Sequence, residues 1–180
     1  MSQSENMIDT TTWVLKAVPG DCKSSRGHVV IESSTYEYVW KEIDQDEKMV
    51  IVGWYHSHPD IGIFLSGTDK RNMKLYHYKP YQIAIVIDPI QNLRGTFAWQ
   101  NGALKRLGDR SIIFSGDHKK YFHGNRKYGD KFSWENENII LKKVCISEDA
   151  VNTMEDHTRQ GIPYEVGGLL IGKLSIIENE

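Results

Sequence analysis

Residues 51–69 read IVGWYHSHPDIGIFLSGTD, and this stretch determines how the rest of the chain is interpreted. An apolar run ends in His56 and His58, and Ser66 and Asp69 follow in the spacing H-x-H-x7-S-x-x-D. Side chains alternate along a strand with a period of two, so both imidazoles point to the same side. A following loop of this length can return Asp69 to the same point. Two imidazoles and one carboxylate are a sufficient ligand set for a catalytic zinc with an open fourth position.

Each of these residues also has a simpler explanation. Two histidines on a strand can be one exposed residue and one bonded to a backbone carbonyl. The pair Ser66 and Asp69 fits the first turn of a helix, with the serine as N-cap and the aspartate three residues on. Both interpretations of this pair can hold together, because a cap also fixes where the side chains point. We interpret Ser57 as a structural hydroxyl.

The stretch resembles the zinc motif of the JAMM (MPN-plus) metalloprotease family, the deubiquitinase-like isopeptidases. That family also uses a glutamate on a strand upstream of the histidine pair. The upstream glutamates of this chain lie near a predicted helix, which is the wrong context. The matching segment is IPYEVGGLLIG at residues 162–172, with Glu165 at the position of the family's catalytic glutamate. The residues alone favour a simpler interpretation of Glu165, an exposed carboxylate at the start of a strand; the resemblance of the surrounding segment is what implies a catalytic role. Gly167 and Gly168 predict the close approach of another backbone, or else a bulge.

The resemblance covers residues 12–107 and 140–175, but the two parts stand in reversed order. We predict a C-terminal portion with the zinc motif at 1–107, a linker at 108–137 and an N-terminal portion with the glutamate at 138–180. Together they would form one metalloprotease domain. Three explanations are open: a circular permutation, two copies that exchange halves into a homo-oligomer, or a fragment of a tandem array. We favour completion of the site within one chain.

The resemblance implies an MPN/JAMM-like (cytidine-deaminase-like) fold of the α/β or α+β class, with a central mixed sheet flanked by helices. The sequence patterns fit that class. Apolar runs predict strands at 12–18, 27–32, 49–55, 81–88, 94–100 and 138–145, and a last strand opened by Glu165. Helices are predicted from a capping box of Ser34 and Glu37, from Ser66, and from an N-cap at Ser147. The apolar stripe of the first helix is expected to face a core.

The resemblance also implies an activity. Zn²⁺ held by His56, His58 and Asp69 would activate water, Glu165 would act as general base, and Ser66 would stabilise the oxyanion. The bond cut would be an isopeptide or peptide bond at the C-terminal tail of a ubiquitin-like protein. Two alternatives remain: a catalytically silent scaffold or interaction module, and a metallopeptidase acting on small peptides or amides.

Composition also bears on the partners and the cellular location of the protein. The net charge of −2 gives no electrostatic reason to expect nucleic acid or an anionic membrane as partner. No signal peptide is recognisable, and Cys22 and Cys145 form no disulfide framework, so we expect a cytoplasmic protein. A further cluster of Asp117, His118 and His123 is compatible with a second metal site, but polar side chains at the surface explain it without any metal chemistry, and we favour that explanation.

Overall fold

The computed structural model describes residues 7–115 and 138–177, and ten strands and three α-helices lie within these ranges. The strands are β1 Ile8–Pro19, β2 Cys22–Ser24, β3 Val29–Ile31, β4 Val50–Ser57, β5 Ile83–Asp88, β6 Leu93–Gln100, β7 Ala103–Arg106, β8 Ile112–Ser115, β9 Ile139–Ser147 and β10 Gly167–Ile176. The helices are α1 Ser33–Ile43, α2 Gly67–Tyr76 and α3 Glu148–Gly161, and Asp109–Ser111 forms a short 3-10 turn.

Eight strands form one mixed sheet in the order β7-β6-β5-β4-β10-β1-β9-β8, and β2 pairs with β3 in a separate hairpin. Strand β10, from the late part of the chain, lies at the centre between β4 and β1 and is antiparallel to both. Strands β4 and β5 are parallel. The predicted α+β architecture with a central mixed sheet is therefore confirmed, and the late segment is built into its middle.

Helices cover both faces of the sheet. On one face, Ala150 and Met154 of α3 pack into a core with Tyr55. On the other face, Val39 of α1 and Met73 of α2 pack around Trp54. Neighbouring residues of β4 thus point to opposite layers, as the alternation of strand side chains requires. None of the helices in the described ranges has the length and apolar character needed to span a bilayer.

The first helix departs from the prediction in how it begins. The N-cap of α1 is Glu32, two residues before the predicted N-cap Ser34, and it makes no side-chain cap hydrogen bond. Ser34 instead donates to Asp21 Oδ2 at 3.0 Å, so the predicted capping box of Ser34 and Glu37 is wrong. The stripe also faces the core only in part, because Val39 is fully buried whereas Trp40 is half exposed. The helix begins before Ser34, so this serine lies inside the first turn instead of at the N-cap, and its hydroxyl donates to Asp21.

The other helix starts agree with the prediction. Ser147 caps α3 by accepting a hydrogen bond from the backbone N–H of Ala150 at 3.0 Å. The predicted linker begins with the 3-10 turn and β8, which runs parallel to β9. Residues 116–137, including the possible second metal cluster, lie outside the described residues. Cys22 and Cys145 are both free thiols.

Candidate metal centre

The predicted ligands converge at one end of β4. His56 and His58 come from the end of that strand and the residue after it, and Asp69 comes from the first turn of α2. The Nε2 atoms of the two histidines lie 3.1 Å apart. Asp69 Oδ2 lies 3.1 Å from His56 Nε2 and 3.3 Å from His58 Nε2. All three residues are buried.

These separations fit a zinc ion. Zn–N and Zn–O bonds of about 2.0–2.1 Å in a tetrahedron place neighbouring ligand atoms about 3.3–3.4 Å apart. The three observed distances are within a few tenths of an ångström of that edge length. Two imidazole nitrogens that face each other at 3.1 Å cannot both present lone pairs unless a proton or a cation lies between them. The donor set and its spacing therefore suit Zn²⁺.

Asp69 is both a cap and a member of this cluster. Its backbone N–H donates to Ser66 Oγ at 3.1 Å, and its Oδ2 accepts from the Ser66 N–H at 2.8 Å. The two interpretations of the S-x-x-D pattern therefore describe the same geometry, because the oxygen that closes the capping box also faces the histidines. Accepting the Asp69 N–H leaves the proton of the Ser66 hydroxyl available for donation elsewhere.

The charges within the cluster favour an ionised aspartate. Burial alone would raise the pKa of Asp69, but hydrogen bonds with His56 and His58 outweigh it and lower that pKa. Burial lowers the pKa of His56. Burial acts in the same direction on His58, but Asp69 and then Glu165 outweigh it, so the pKa of His58 is raised. An anionic oxygen beside two imidazoles is an arrangement that attracts a divalent cation.

Glu165 reaches the same cluster from the other end of the chain. Its Oε1 lies 3.7 Å from His58 Nε2, and only 4% of the residue is exposed. Burial raises the pKa of Glu165 to about 7, with His58 opposing and Asp69 adding to the rise. A carboxyl group with such a pKa is suited to exchange protons at neutral pH. The carboxylate of Glu165 therefore lies beside a histidine of the same chain, and completion of the site within one chain stays a prediction.

Backbone contacts hold Glu165 in place. The predicted strand opening at Glu165 is corrected, because β10 begins two residues later at Gly167. The Glu165 N–H donates to Ser25 O at 2.9 Å. The next N–H, that of Val166, donates to Ser57 Oγ at 2.9 Å, and Val166 O accepts from the Ser57 N–H at 2.9 Å. The hydroxyl between the two histidines is thus structural, as predicted, and it ties the glutamate segment to the histidine strand.

The glycines after Glu165 allow this close approach. A Cβ on Gly167 would lie 2.6 Å from Tyr55 O, and a Cβ on Gly168 would lie 2.2 Å from Val18 O. Both distances are far inside van der Waals contact, so the predicted approach of neighbouring backbones is confirmed. Any side chain at either position would push β10 away from β4 or β1, and with it the carboxylate.

Aromatic side chains flank the histidines. Trp54 stacks on His56 with ring centroids 4.2 Å apart, and Phe64 lies 4.6 Å from the ring of His58. The apolar residues of the loop after the histidines differ in how far they are buried. Leu65 is buried in the core, whereas Ile61 and Phe64 are about half exposed beside the site.

An apolar cleft lies on the same face of the sheet as the metal centre. It has a volume of about 500 Å³ between α1, β3 and α2, and Trp54 contributes to its lining. Trp40, Leu75 and Tyr76 line it while remaining more than half exposed. Trp54 belongs to the core, and Trp40 and Tyr76 belong to the rim.

One buried group at the site is absent from the predicted set. Asp88 ends β5, is 0% exposed and contacts the loop after the histidines. Its position directly after a buried apolar strand and before Pro89 is typical of an aspartate that caps a turn. That pattern would have indicated a structural role but not its connection to the metal ligands.

Comparison with known proteins identifies relatives of this arrangement. A family model described as JAB1/Mov34/MPN/PAD-1 ubiquitin protease matches residues 7–80, which include both histidines, Ser66 and Asp69. The match ends well before Glu165.

Individual relatives are similar over shorter or longer parts of the chain. COP9 signalosome complex subunit 5 of Eremothecium gossypii is 29% identical over 116 residues, which cover 62% of this chain and 27% of that protein. The subunit of the same name in Caenorhabditis elegans is 31% identical over 99 residues, which cover 52% of this chain and 27% of that protein. The 26S proteasome regulatory subunit rpn11 of Schizosaccharomyces pombe is 43% identical over 47 residues, covering 26% and 15%. The matched region thus spans about a quarter or less of these relatives.

Proposed function

We propose that this chain is a member of the JAB1/Mov34/MPN/PAD-1 family, whose model matches residues 7–80, and that it is a zinc metallopeptidase acting on the C-terminal tail of a ubiquitin-like protein. The bond hydrolysed is an isopeptide bond to a lysine side chain or a peptide bond after the tail. One observation carries the proposal: His56, His58 and Asp69 have the spacing of zinc ligands, and Glu165 lies 3.7 Å from His58.

The residues divide the chemistry among themselves. Zn²⁺ held by His56, His58 and Asp69 would supply a Lewis acid and lower the pKa of a water molecule that it binds toward about 7. Glu165 accepts a proton from the attacking water and transfers it to the leaving amine nitrogen as the C–N bond breaks. The hydroxyl of Ser66 donates a hydrogen bond to the oxyanion that forms on the attacked carbonyl.

The surroundings of the site support a protein substrate. The exposed apolar surface of Ile61 and Phe64 adjoins the histidines, and the cleft lined by Trp40, Leu75 and Tyr76 lies on the same face. Large exposed apolar patches typically mark protein contacts. We propose that a ubiquitin-like protein docks across this face while its extended tail enters beside the metal. We also propose a cytoplasmic location.

Two measurements on the full chain test the proposal. The first is the zinc content of the purified protein by mass spectrometry, for which we expect one ion per site. The second is hydrolysis of a ubiquitin-like protein fused through its C-terminal tail to a reporter, compared with a short peptide of the same tail sequence. Cleavage of the fusion, abolished by a chelator and restored by Zn²⁺, supports the proposal. A zinc-free and inactive protein supports a silent scaffold, and cleavage of the short peptide alone indicates a small-peptide hydrolase.

A further inference from the structure

The carboxylate of Asp88 is the centre of a hydrogen-bond network beside the metal centre. Four backbone N–H groups donate to it. Oδ1 accepts from Asp60 at 3.0 Å, Ile90 at 3.1 Å and Gln91 at 3.0 Å, and Oδ2 accepts from Gly62 at 2.9 Å. Two donors belong to the loop after the histidines, and two belong to the turn that joins β5 to β6. Asp88 therefore joins two loops at one edge of the sheet.

The loop after the histidines depends on such an anchor. Asp60 has φ of 63° and Gly62 has φ of 84°, so two residues in three adopt left-handed backbone. For a residue other than glycine this conformation is unfavourable and persists only where the surrounding structure enforces it. Of the four N–H groups that donate to Asp88, the two from this loop belong to these same residues, Asp60 and Gly62. The carboxylate thus stabilises the unusual loop path directly.

The anchored loop controls one metal ligand. Gly62 O lies 3.2 Å from His58 Nδ1; a backbone carbonyl can only accept, so Nδ1 carries a proton and donates it in a hydrogen bond to Gly62 O. The other ring nitrogen, Nε2, then keeps its lone pair for the cluster with His56 and Asp69. A second bond, from the His58 N–H to Ile87 O at 2.8 Å, fixes the backbone beside the ring.

His56 has no comparable support. Its Nδ1 is buried and has no hydrogen-bond partner among the described residues. Among the described residues, only the contact between His58 and Gly62 therefore fixes the tautomer of one of the two histidines. Histidine ligands are usually oriented by such outer contacts, whose loss typically weakens metal binding by about 10–100-fold.

We propose that Asp88 is a positioning residue for the metal centre, acting through Gly62 to hold His58 in the tautomer and orientation that bind zinc. The inference rests on the proposed function, because it presupposes that zinc is the ligand of the cluster. It assigns to Asp88 a role in metal affinity and in the geometry at the metal, with no contact to substrate.

The substitution Asp88→Asn tests this role selectively. If the amide oxygen takes the place of Oδ1, three of the four hydrogen bonds remain. The amide nitrogen then faces the N–H of Gly62, so two donors oppose each other and that bond is lost. The reverse orientation would sacrifice three bonds instead of one and is disfavoured. The substitution therefore acts mainly on the hydrogen bond between Gly62 and residue 88.

A matched control is available at the other end of β4. Asp46 Oδ1 accepts the N–H of Lys48 at 2.9 Å, and its Oδ2 lies 3.1 Å from Lys173 Nζ. Asp46→Asn therefore weakens a turn-capping carboxylate at the opposite end of β4 from the histidines. It separates a general loss of stability from an effect on the metal.

The experiment measures zinc affinity by competition with a chromophoric chelator, and the visible absorption of the Co²⁺-substituted protein, for wild type, Asp88→Asn and Asp46→Asn. We expect zinc binding about tenfold weaker in Asp88→Asn, at the lower end of the range for outer-shell changes. We also expect an altered Co²⁺ spectrum in Asp88→Asn and neither change in Asp46→Asn. Unchanged affinity in Asp88→Asn, an equal loss in both variants, or weaker binding with an unaltered spectrum would each overturn the proposal.

A second measurement does not depend on whether Asp88→Asn folds. Nitrogen-15 NMR of the histidines in the zinc-loaded wild type should show His58 protonated at Nδ1 and bound to the metal through Nε2. Coordination through Nδ1 would refute the proposed role of Gly62 and Asp88. Failure of the wild type to bind zinc at all would instead reject the proposed function, so the two failures are distinguishable.

Discussion

Replacing Glu165 with glutamine should separate catalysis from metal binding and from stability. Glutamine has nearly the same shape but cannot accept the proton of the attacking water. General-base catalysis typically contributes about 10²–10⁴-fold to the rate, so we expect turnover to fall by that factor. The zinc content should stay unchanged, because the ligand set of His56, His58 and Asp69 is intact.

The same substitution should stabilise the metal-free protein at neutral and alkaline pH. Burial raises the pKa of Glu165 from an ordinary 4.5 to about 7. Each pH unit of difference corresponds to about 1.4 kcal/mol, so the burial of the ionised carboxylate costs about 3 kcal/mol. The sign of the effect follows from proton binding. Below pH 4.5, Glu165 is protonated in both the folded and the unfolded state and does not lower the free energy of unfolding. Between pH 4.5 and 7 the unfolded chain releases its proton first, and stability falls.

The assay is urea unfolding of chelator-treated wild type and Glu165→Gln at several pH values from about 5 to 8. The difference between the two free energies of unfolding should grow in favour of the variant by up to about 3 kcal/mol over that range. Added Zn²⁺ should reduce this difference, because a nearby cation favours the ionised carboxylate. Parallel curves for the two proteins would show that Glu165 is not buried beside the cluster. Retained turnover in the variant would reject it as the base.

Three further predictions concern the other residues of the site. His58→Ala and Asp69→Ala should each lose zinc, measured by metal analysis after gel filtration; full zinc in both would reject the ligand assignment. Mixing inactive Glu165→Gln with inactive His56→Ala should restore no activity, because Glu165 meets His58 within one chain; recovered activity would show that copies exchange halves. Ser66→Ala should lower turnover by about 10²–10³-fold through loss of an oxyanion donor. Ser147→Ala removes an equivalent N-cap on α3 and should cost only about 1 kcal/mol of stability; equal effects on turnover would reject the role of Ser66.

Much of the site followed from local patterns. The alternation of side chains on a strand is a local property, so the spacing of His56 and His58 is enough to place them on the same side. The capping pattern likewise placed Asp69 in the first turn of a helix, and the structure shows the capping box. These features are determined within a few residues of backbone, where covalent geometry leaves few alternatives.

Other features depended on segments that are far apart along the chain. Ser34 was expected to cap its own helix, but the helix begins one residue before it, at Ser33, and the Ser34 hydroxyl donates to Asp21. The motif did not reveal Asp88, because its function depends on loops that follow two different parallel strands. The partners of a side chain depend on which distant segments folding brings near, and a local pattern does not contain that information.

The sequence by itself predicted the chemistry: the candidate ligands, their spacing and, through the family resemblance, a glutamate that would complete the set. Only the tertiary structure decided how Glu165 reaches histidines more than a hundred positions earlier. It does so by inserting β10 between β4 and β1, where Gly167 and Gly168 admit the neighbouring backbones. The physical reason is that side-chain direction is fixed locally, whereas the pairing of distant strands is settled by the packing of the whole sheet.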